Sequence, residues 1–213
     1  MEEYHKIETL FKRDMENKGK IIIGNFTCPE FEYLAYNKWI FTEKVDGTNI
    51  RILYNPESIH NSLKFAGKTD NASLPVTLFG KLQEIFDLQK NKFIEKFEKA
   101  NVCLYGEGYG SKISKGGGNY SNSQNFVLFD VRIDDLWLKR ESLEDIASYF
   151  GIDLVPVIGS GTLYDMIDLC KSGFNSHWGD FIAEGIVAKP EIELSDRRNK
   201  RIITKLKYKD FEH

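Results

Sequence analysis

The chain punctuates its apolar residues in a way that outlines its elements. Residues 39–44, Trp39-Ile40-Phe41-Thr42-Glu43-Lys44, are rich in aromatic and β-branched types and predict a strand that ends at Lys44. Asp46-Gly47 supplies turn chemistry, and residues 49–54 predict a second strand. Lys44 therefore sits at a strand end beside a tight turn. Upstream, residues 29–36 predict a short helix with Phe31, Leu34 and Ala35 on one face. Downstream, residues 76–100 predict helix, broken near Lys90-Asn91, and residues 102–107 and 126–133 predict strands. Between those strands, residues 108–123 are rich in Gly, Ser and Lys and predict a surface loop. Ser142 followed by Asp145 resembles a capping box for a helix to Phe150, and Thr162 with Asp165 repeats the pattern for a helix to about Cys170. Residues 182–189 and 201–207 predict strands, the latter alternating apolar and basic side chains. Strands and helices in this irregular order indicate an α+β fold. No internal repeat, low-complexity tract or linker divides the sequence, which reads as one domain over residues 1–213.

Composition narrows the class. Hydrophobic residues make up 41% and charged residues 29%, the balance of a globular protein. No apolar run approaches the ~20 residues that span a bilayer, and the start, Met1-Glu2-Glu3-Tyr4-His5, is acidic rather than signal-like. Cys28, Cys103 and Cys170 are scattered and odd in number, which speaks against a disulfide framework or zinc ribbon and for reduced thiols of a cytoplasmic protein. His5, His60, His177 and His213 show no metal-ligand spacing. Net charge is -3, yet Arg197, Arg198, Lys200, Arg201, Lys205, Lys207 and Lys209 cluster near the C-terminus. Such a cluster suits phosphates, or is a solvated charged face.

The chemistry centres on Glu43-Lys44-Val45-Asp46-Gly47-Thr48-Asn49. A lysine attacks phosphorus only through a neutral amine, so a nucleophilic lysine needs desolvation or nearby positive charge. A bare Lys-x-Asp-Gly recurs by chance and alone reads as a surface lysine before a turn. Four further segments follow it in order: Tyr105-Gly106-Glu107-Gly108, Phe126-Val127-Leu128-Phe129-Asp130-Val131, Glu184-Gly185-Ile186-Val187-Ala188-Lys189 and Lys205-Leu206-Lys207. In this order, spacing and strand context the chain resembles the covalent nucleotidyltransferase superfamily of DNA ligases, RNA ligases and capping enzymes, from about Trp39 to Lys209. Gly47-Thr48-Asn49 and Gly67-Lys68-Thr69-Asp70 look like the phage-type RNA ligase family, the RNA ligase 2 group. That group often carries arginine where this chain has Lys68, which keeps the charge and loses the bidentate fork.

The resemblance implies an α+β nucleotidyltransferase fold, the ATP-grasp-like ligase adenylation domain, with antiparallel sheets and flanking helices around an ATP cleft. It implies ATP as cofactor, with AMP carried on Lys44, and Mg2+ or Mn2+. Lys44, Asp46, Lys205 and Lys207 are the catalytic set. Glu43 reaches the adenine amino group and Glu107 the ribose; Asn49, Lys68, Glu184 and the two strand lysines complete the nucleotide site. Phe129 stacks on adenine, with Phe126 as rival, since strand alternation places the two on opposite faces. Asp46, Asp130 and Glu184 are the metal acids. Lys112 and Lys115, in the glycine-rich loop, join Arg197, Arg198 and Arg201 as nucleic-acid contacts.

The implied reaction has three steps: AMP passes from ATP to Lys44, then to a polynucleotide 5′-phosphate, and leaves when a 3′-hydroxyl attacks. The expected partners are RNA ends, with no membrane. No C-terminal OB-fold domain follows the last motif, so an accessory domain or protein partner is a further expectation, with residues 4–25 as another source of the missing role. A DNA ligase, a capping-type guanylyltransferase and a catalytically silent nucleic-acid-binding module remain the alternatives.

Overall fold

The computed structural model describes residues 3–58 and 62–211. His60 and His213, and the start of the acidic N-terminus, lie outside them. In chain order the strands are β1 (Glu8–Thr9), β2 (Phe11–Asp14), β3 (Lys20–Phe26), β4 (Trp39–Glu43), β5 (Thr48–Tyr54), β6 (Leu63–Ala66), β7 (Val102–Tyr109), β8 (Asn125–Ile133), β9 (Leu136–Trp137), β10 (Asp153–Leu154), β11 (Val157–Gly161), β12 (Gly185–Pro190) and β13 (Thr204–Lys207). The helices are α1 (Pro29–Tyr33), α2 (Val76–Phe86), α3 (Lys90–Phe97), α4 (Gly117–Tyr120), α5 (Arg140–Phe150) and α6 (Leu163–Ser172).

These elements form two compact units. Unit I holds the chain up to Tyr4 together with Asp46–Val155; unit II holds His5–Val45 and the chain from Pro156 onward. In unit I the strand order is β10-β8-β7-β5-β6, with β9 on β8, antiparallel except for the β10–β8 pair. Its core joins Ile50, Ile52, Leu104, Phe126 and Leu128 of the strands to Leu82, Phe86, Phe93 and Phe150 of the helices. The rings of Phe93 and Phe150 lie 4.4 Å apart, an aromatic contact that adds to the area buried. In unit II the order is β1-β13-β12-β4-β11, antiparallel except for β1 against β13. Trp39, Phe41, Ile186, Ala188 and Leu206 of this sheet pack with Phe31 of α1 and Leu163, Met166 and Cys170 of α6.

Several sequence expectations shift in the structure. The helix from Pro29 ends at Tyr33, and the long helix breaks earlier than expected, at a 3-10 turn over Asp87–Gln89. Ser142 caps nothing: α5 already starts at Arg140, and its N-cap, Lys139, makes no side-chain capping bond. Thr162 does close a capping box with Asp165. The last two predicted strands start later, at Gly185 and Thr204, because Ile182 and Arg201 form only isolated bridges to Asn175 and Ser195. The loop after β7 contains a helical turn, α4, whose Gly117 and Tyr120 are buried. The N-terminal segment forms β1, β2 and β3, and β1 extends the unit II sheet beside Lys205.

Candidate active site

In unit II the sheet alternates cleanly. Phe41, Ile186, Ala188 and Leu206 face the core, so the intervening Thr42, Val187, Lys189, Lys205 and Lys207 share the other face. Just past β4, Lys44 donates its backbone N–H to Gly185 O at 2.9 Å, extending the pairing with β12. Its Nζ lies 2.6 Å from Glu184 Oε2, and Lys207 Nζ lies 2.7 Å from Glu184 Oε1. One carboxylate thus holds two ammonium groups, each mostly shielded from water, where a charge-assisted bond is strong. Lys205 is also half-buried on this strand.

Glu43 is arranged differently from the sequence expectation. One residue before Lys44 on the strand, it turns inward and is 1% exposed. Its carboxylate accepts bonds from Ser176 Oγ at 2.6 Å and His177 N–H at 2.8 Å. In this arrangement the carboxylate anchors the loop before β12.

Unit I carries the other motif residues. Asp46 and Gly47 form the turn into β5. A Cβ at Gly47 would lie 2.2 Å from Gly108 O and 2.8 Å from Glu107 Cγ, so glycine is what lets the turn sit against the Glu107 strand. Asn49 pairs in register with Glu107, and its Oδ1 is buried with no hydrogen-bond partner among the described residues. Two residues on, Arg51 is fully buried; it donates to Gly67 O at 2.8 Å and Asp70 Oδ1 at 2.7 Å. Arg51 thereby fixes the segment carrying the exposed Lys68. The same contact holds the Asp70 carboxyl below its ordinary range.

On β8 the register slips: Tyr105 pairs with Asp130, but Gly106 pairs with Leu128. Phe129 is the extra residue of this bulge, which reverses the alternation beyond it. Phe126 and Leu128 stay in the core while half-buried Phe129 turns its ring to Tyr4, 5.1 Å away edge to face. Of the two rival phenylalanines, Phe126 is therefore the packing residue. Asp130 is fully buried and accepts a 2.7 Å bond from the Tyr4 hydroxyl.

No group of three carboxylate, histidine or cysteine side chains able to hold a metal occurs among the described residues. A hydrated magnesium needs only one or two carboxylates. Glu184 fits that demand, whereas Asp130 is shut from solvent.

Lys112 and Lys115 are exposed in the β7–β8 loop, and Arg197 and Arg198 are exposed before β13. Arg201 departs from this group. It is 5% exposed, and its guanidinium pairs with both carboxylate oxygens of Glu193, at 2.9 Å for Nη2. Sequence reasoning passed over Tyr4, Arg51 and Ser176. Only Arg51 carried a signal, a charge set between Ile50 and Ile52 in an apolar strand.

The RNA ligase family model matches residues 37–209, most of the chain and all of the motif residues above. The chain belongs to the RNA ligase family. Among solved structures, its fold is similar to Naegleria gruberi RNA ligase. A variant of that ligase with ATP and manganese superposes with a TM-score of 0.65 at 16% identity, covering 96% of this chain and 61% of that one. The same ligase with pyrophosphate gives 0.64 at 17% identity, covering 94% and 56%. A ligand-free variant gives 0.64 at 16%, covering 94% and 55%. This family member spans a little over half the length of those chains and shares their mixed α+β fold with antiparallel sheets. No curated protein sequence matches it significantly. None of its described helices is long and apolar enough to cross a membrane.

Proposed function

We propose that this chain carries the nucleotidyl-transfer chemistry of an ATP-dependent RNA ligase, with Lys44 as nucleophile. The observation that carries the reading is the pairing of Lys44 and Lys207 with Glu184 on one face of the sheet. A lone surface lysine before a turn needs no such partner.

An ammonium has no lone pair, so the ion pair with Glu184 is the resting state of Lys44. Attack requires Lys44 to release a proton to solvent water and turn from Glu184 to the α-phosphorus of ATP. The N–P bond forms as the bond to the bridging oxygen breaks, and pyrophosphate leaves with that electron pair. Lys207, and Lys205 beside it on β13, offer positive charge to the phosphate oxygens as charge builds there. Asn49 Oδ1 and Glu107, paired across β5 and β7, offer acceptors for ribose hydroxyls, and Phe129 offers an aromatic ring for adenine. A divalent metal, for which Glu184 would be the acid on this face of the sheet, would supply further neutralisation of the phosphates. In the second step a polynucleotide 5′-phosphate oxygen attacks the same phosphorus and Lys44 leaves as the amine. In the third a 3′-hydroxyl attacks the activated 5′-phosphate, its proton passing to water, and the anhydride bond breaks as AMP departs with that electron pair. Lys68 serves as a point charge for the 5′-phosphate, while Lys112, Lys115, Arg197 and Arg198 serve the RNA backbone.

The test is incubation with α-labelled ATP and magnesium or manganese, followed by intact mass. The expected result is a gain of one AMP that disappears in Lys44→Ala. Labelling retained in Lys44→Ala would remove it as nucleophile; labelling with GTP in place of ATP would point to capping chemistry.

A further inference from the structure

The loop between β7 and β8 is a folded clamp, not a slack connection. Gly110 sits at φ +112, and a Cβ there would lie 2.0 Å from Ser123 O. A Cβ at Gly117 would lie 2.0 Å from Gly110 O. Only glycine permits these approaches. Internal bonds close the loop: Ser111 N–H to Ser121 O at 3.0 Å, Ser111 Oγ to Asn122 O at 2.7 Å, and Gln124 Nε2 to Ser111 O at 3.0 Å. Ile113 roots it in the core of unit I.

What this loop holds is the aspartate of the Lys-x-Asp-Gly turn. The Asp46 N–H donates to Tyr120 Oη at 3.2 Å, and Ser114 Oγ donates to Asp46 O at 3.2 Å. Both backbone polar groups of Asp46 are thus bound by one loop. Gly116 lies beside the carboxylate, its notional Cβ 3.5 Å from Asp46 Oδ2. Tyr120 is itself fixed: it is 8% exposed, and its ring meets that of Tyr109 edge to face at 6.1 Å.

We infer that Tyr120 and Ser114 are positioning residues that set the Asp46 turn for nucleotidyl transfer, acting through the backbone of Asp46 without touching substrate. This rests on the proposed ligase chemistry. A group two residues from the nucleophile must not drift, since small misplacements of reacting groups cost rate rather than binding. The glycine run, read from sequence alone as part of a surface loop with nucleic-acid contacts, has a further use: it lets the loop close over the turn.

Tyr120→Phe keeps the ring packed on Tyr109 and removes only the hydroxyl; Ser114→Ala removes the second bond. In Tyr120→Phe the rate of AMP attachment should fall about tenfold, roughly the factor one ordinary hydrogen bond is worth. The ATP concentration at half-saturation should stay within about twofold, because ground-state binding is untouched. Hydrogen exchange gives a readout independent of activity: the Asp46 amide should exchange faster in Tyr120→Phe, with the β5 amides unchanged. A wild-type rate of AMP attachment and an unchanged Asp46 exchange rate in Tyr120→Phe would overturn the clamp. Wild-type protein that takes up no AMP would instead overturn the ligase reading beneath it, whatever the exchange data show.

Discussion

At the residue scale, neighbours in sequence part company because a strand sends alternate side chains to opposite faces. Lys44 meets Glu184 across the sheet, while Glu43 turns inward to Ser176 and His177. The motif order was legible in the sequence, and so was the sharing of one face by Lys205 and Lys207. That Glu184 bridges Lys44 and Lys207 was not, because 140 residues separate it from Lys44. Glu184→Gln keeps the shape and removes the charge. Its two ammonium partners then lose their counter-charge, and Lys44 and Lys207 lose the shared acceptor that orients them on this face of the sheet. The rate of AMP attachment, followed by intact mass, should fall about a hundredfold, as when one electrostatic partner in an active site is removed. A rate within about twofold of wild type would show that Glu184 does not govern Lys44.

At the scale of elements, two similar cap signals had different fates. Thr162 accepts the Asp165 N–H at 3.2 Å and the Asp165 carboxylate accepts the Thr162 N–H at 2.7 Å, satisfying donors that start α6. Ser142 already lies inside α5. The local patterns are alike; where the chain enters each helix is set by packing. Thr162→Ala should destabilise the protein by about 1 kcal/mol in urea unfolding at pH 7. The Thr162 hydroxyl and N–H hold the Asp165 carboxyl below its ordinary 3.8. A depressed carboxyl stabilises the fold above its unfolded value, and that contribution is lost as pH falls through the folded one. The difference between wild type and Thr162→Ala should therefore shrink when both are unfolded well below pH 3.8. The bulge at Phe129 belongs to this scale too: period-two reading set Phe126 and Phe129 on opposite faces, but could not see the slip that also turns Asp130 away from the core face of Leu128.

At the scale of the molecule, each unit has its own core and a buried thiol: Cys170 sits within the core of unit II, while Cys103 is buried on the strand face opposite the core residue Leu104. Cys103 lies on β7 of unit I and Cys170 on α6 of unit II. Burial pushes both thiols up from 9.0 to about 12. The unfolded thiols ionise first, so these groups favour the fold fully below pH 9.0, and that contribution is lost as pH rises toward about 12. Alkylation of the native protein at pH 8 should label half-buried Cys28 first and leave Cys103 and Cys170 unmodified, as peptide mapping would reveal. Across a urea series, Cys103 should become reactive with the opening of unit I and Cys170 with that of unit II. Labelling of either in the native protein would contradict its burial.

The sequence by itself determined the α+β class, the strand that presents Lys44, the Thr162 cap and the order of the ligase motifs. These depend on local propensity and spacing, which travel with the chain. Only the tertiary structure decided that the chain folds as two compact units, that Glu184 joins Lys44 to Lys207, that Arg51 fixes the Lys68 segment and that the β7–β8 loop grips Asp46. Those are contacts between distant residues, and each depends on strand register, on a bulge or on the packing of a glycine, none of which a local pattern encodes.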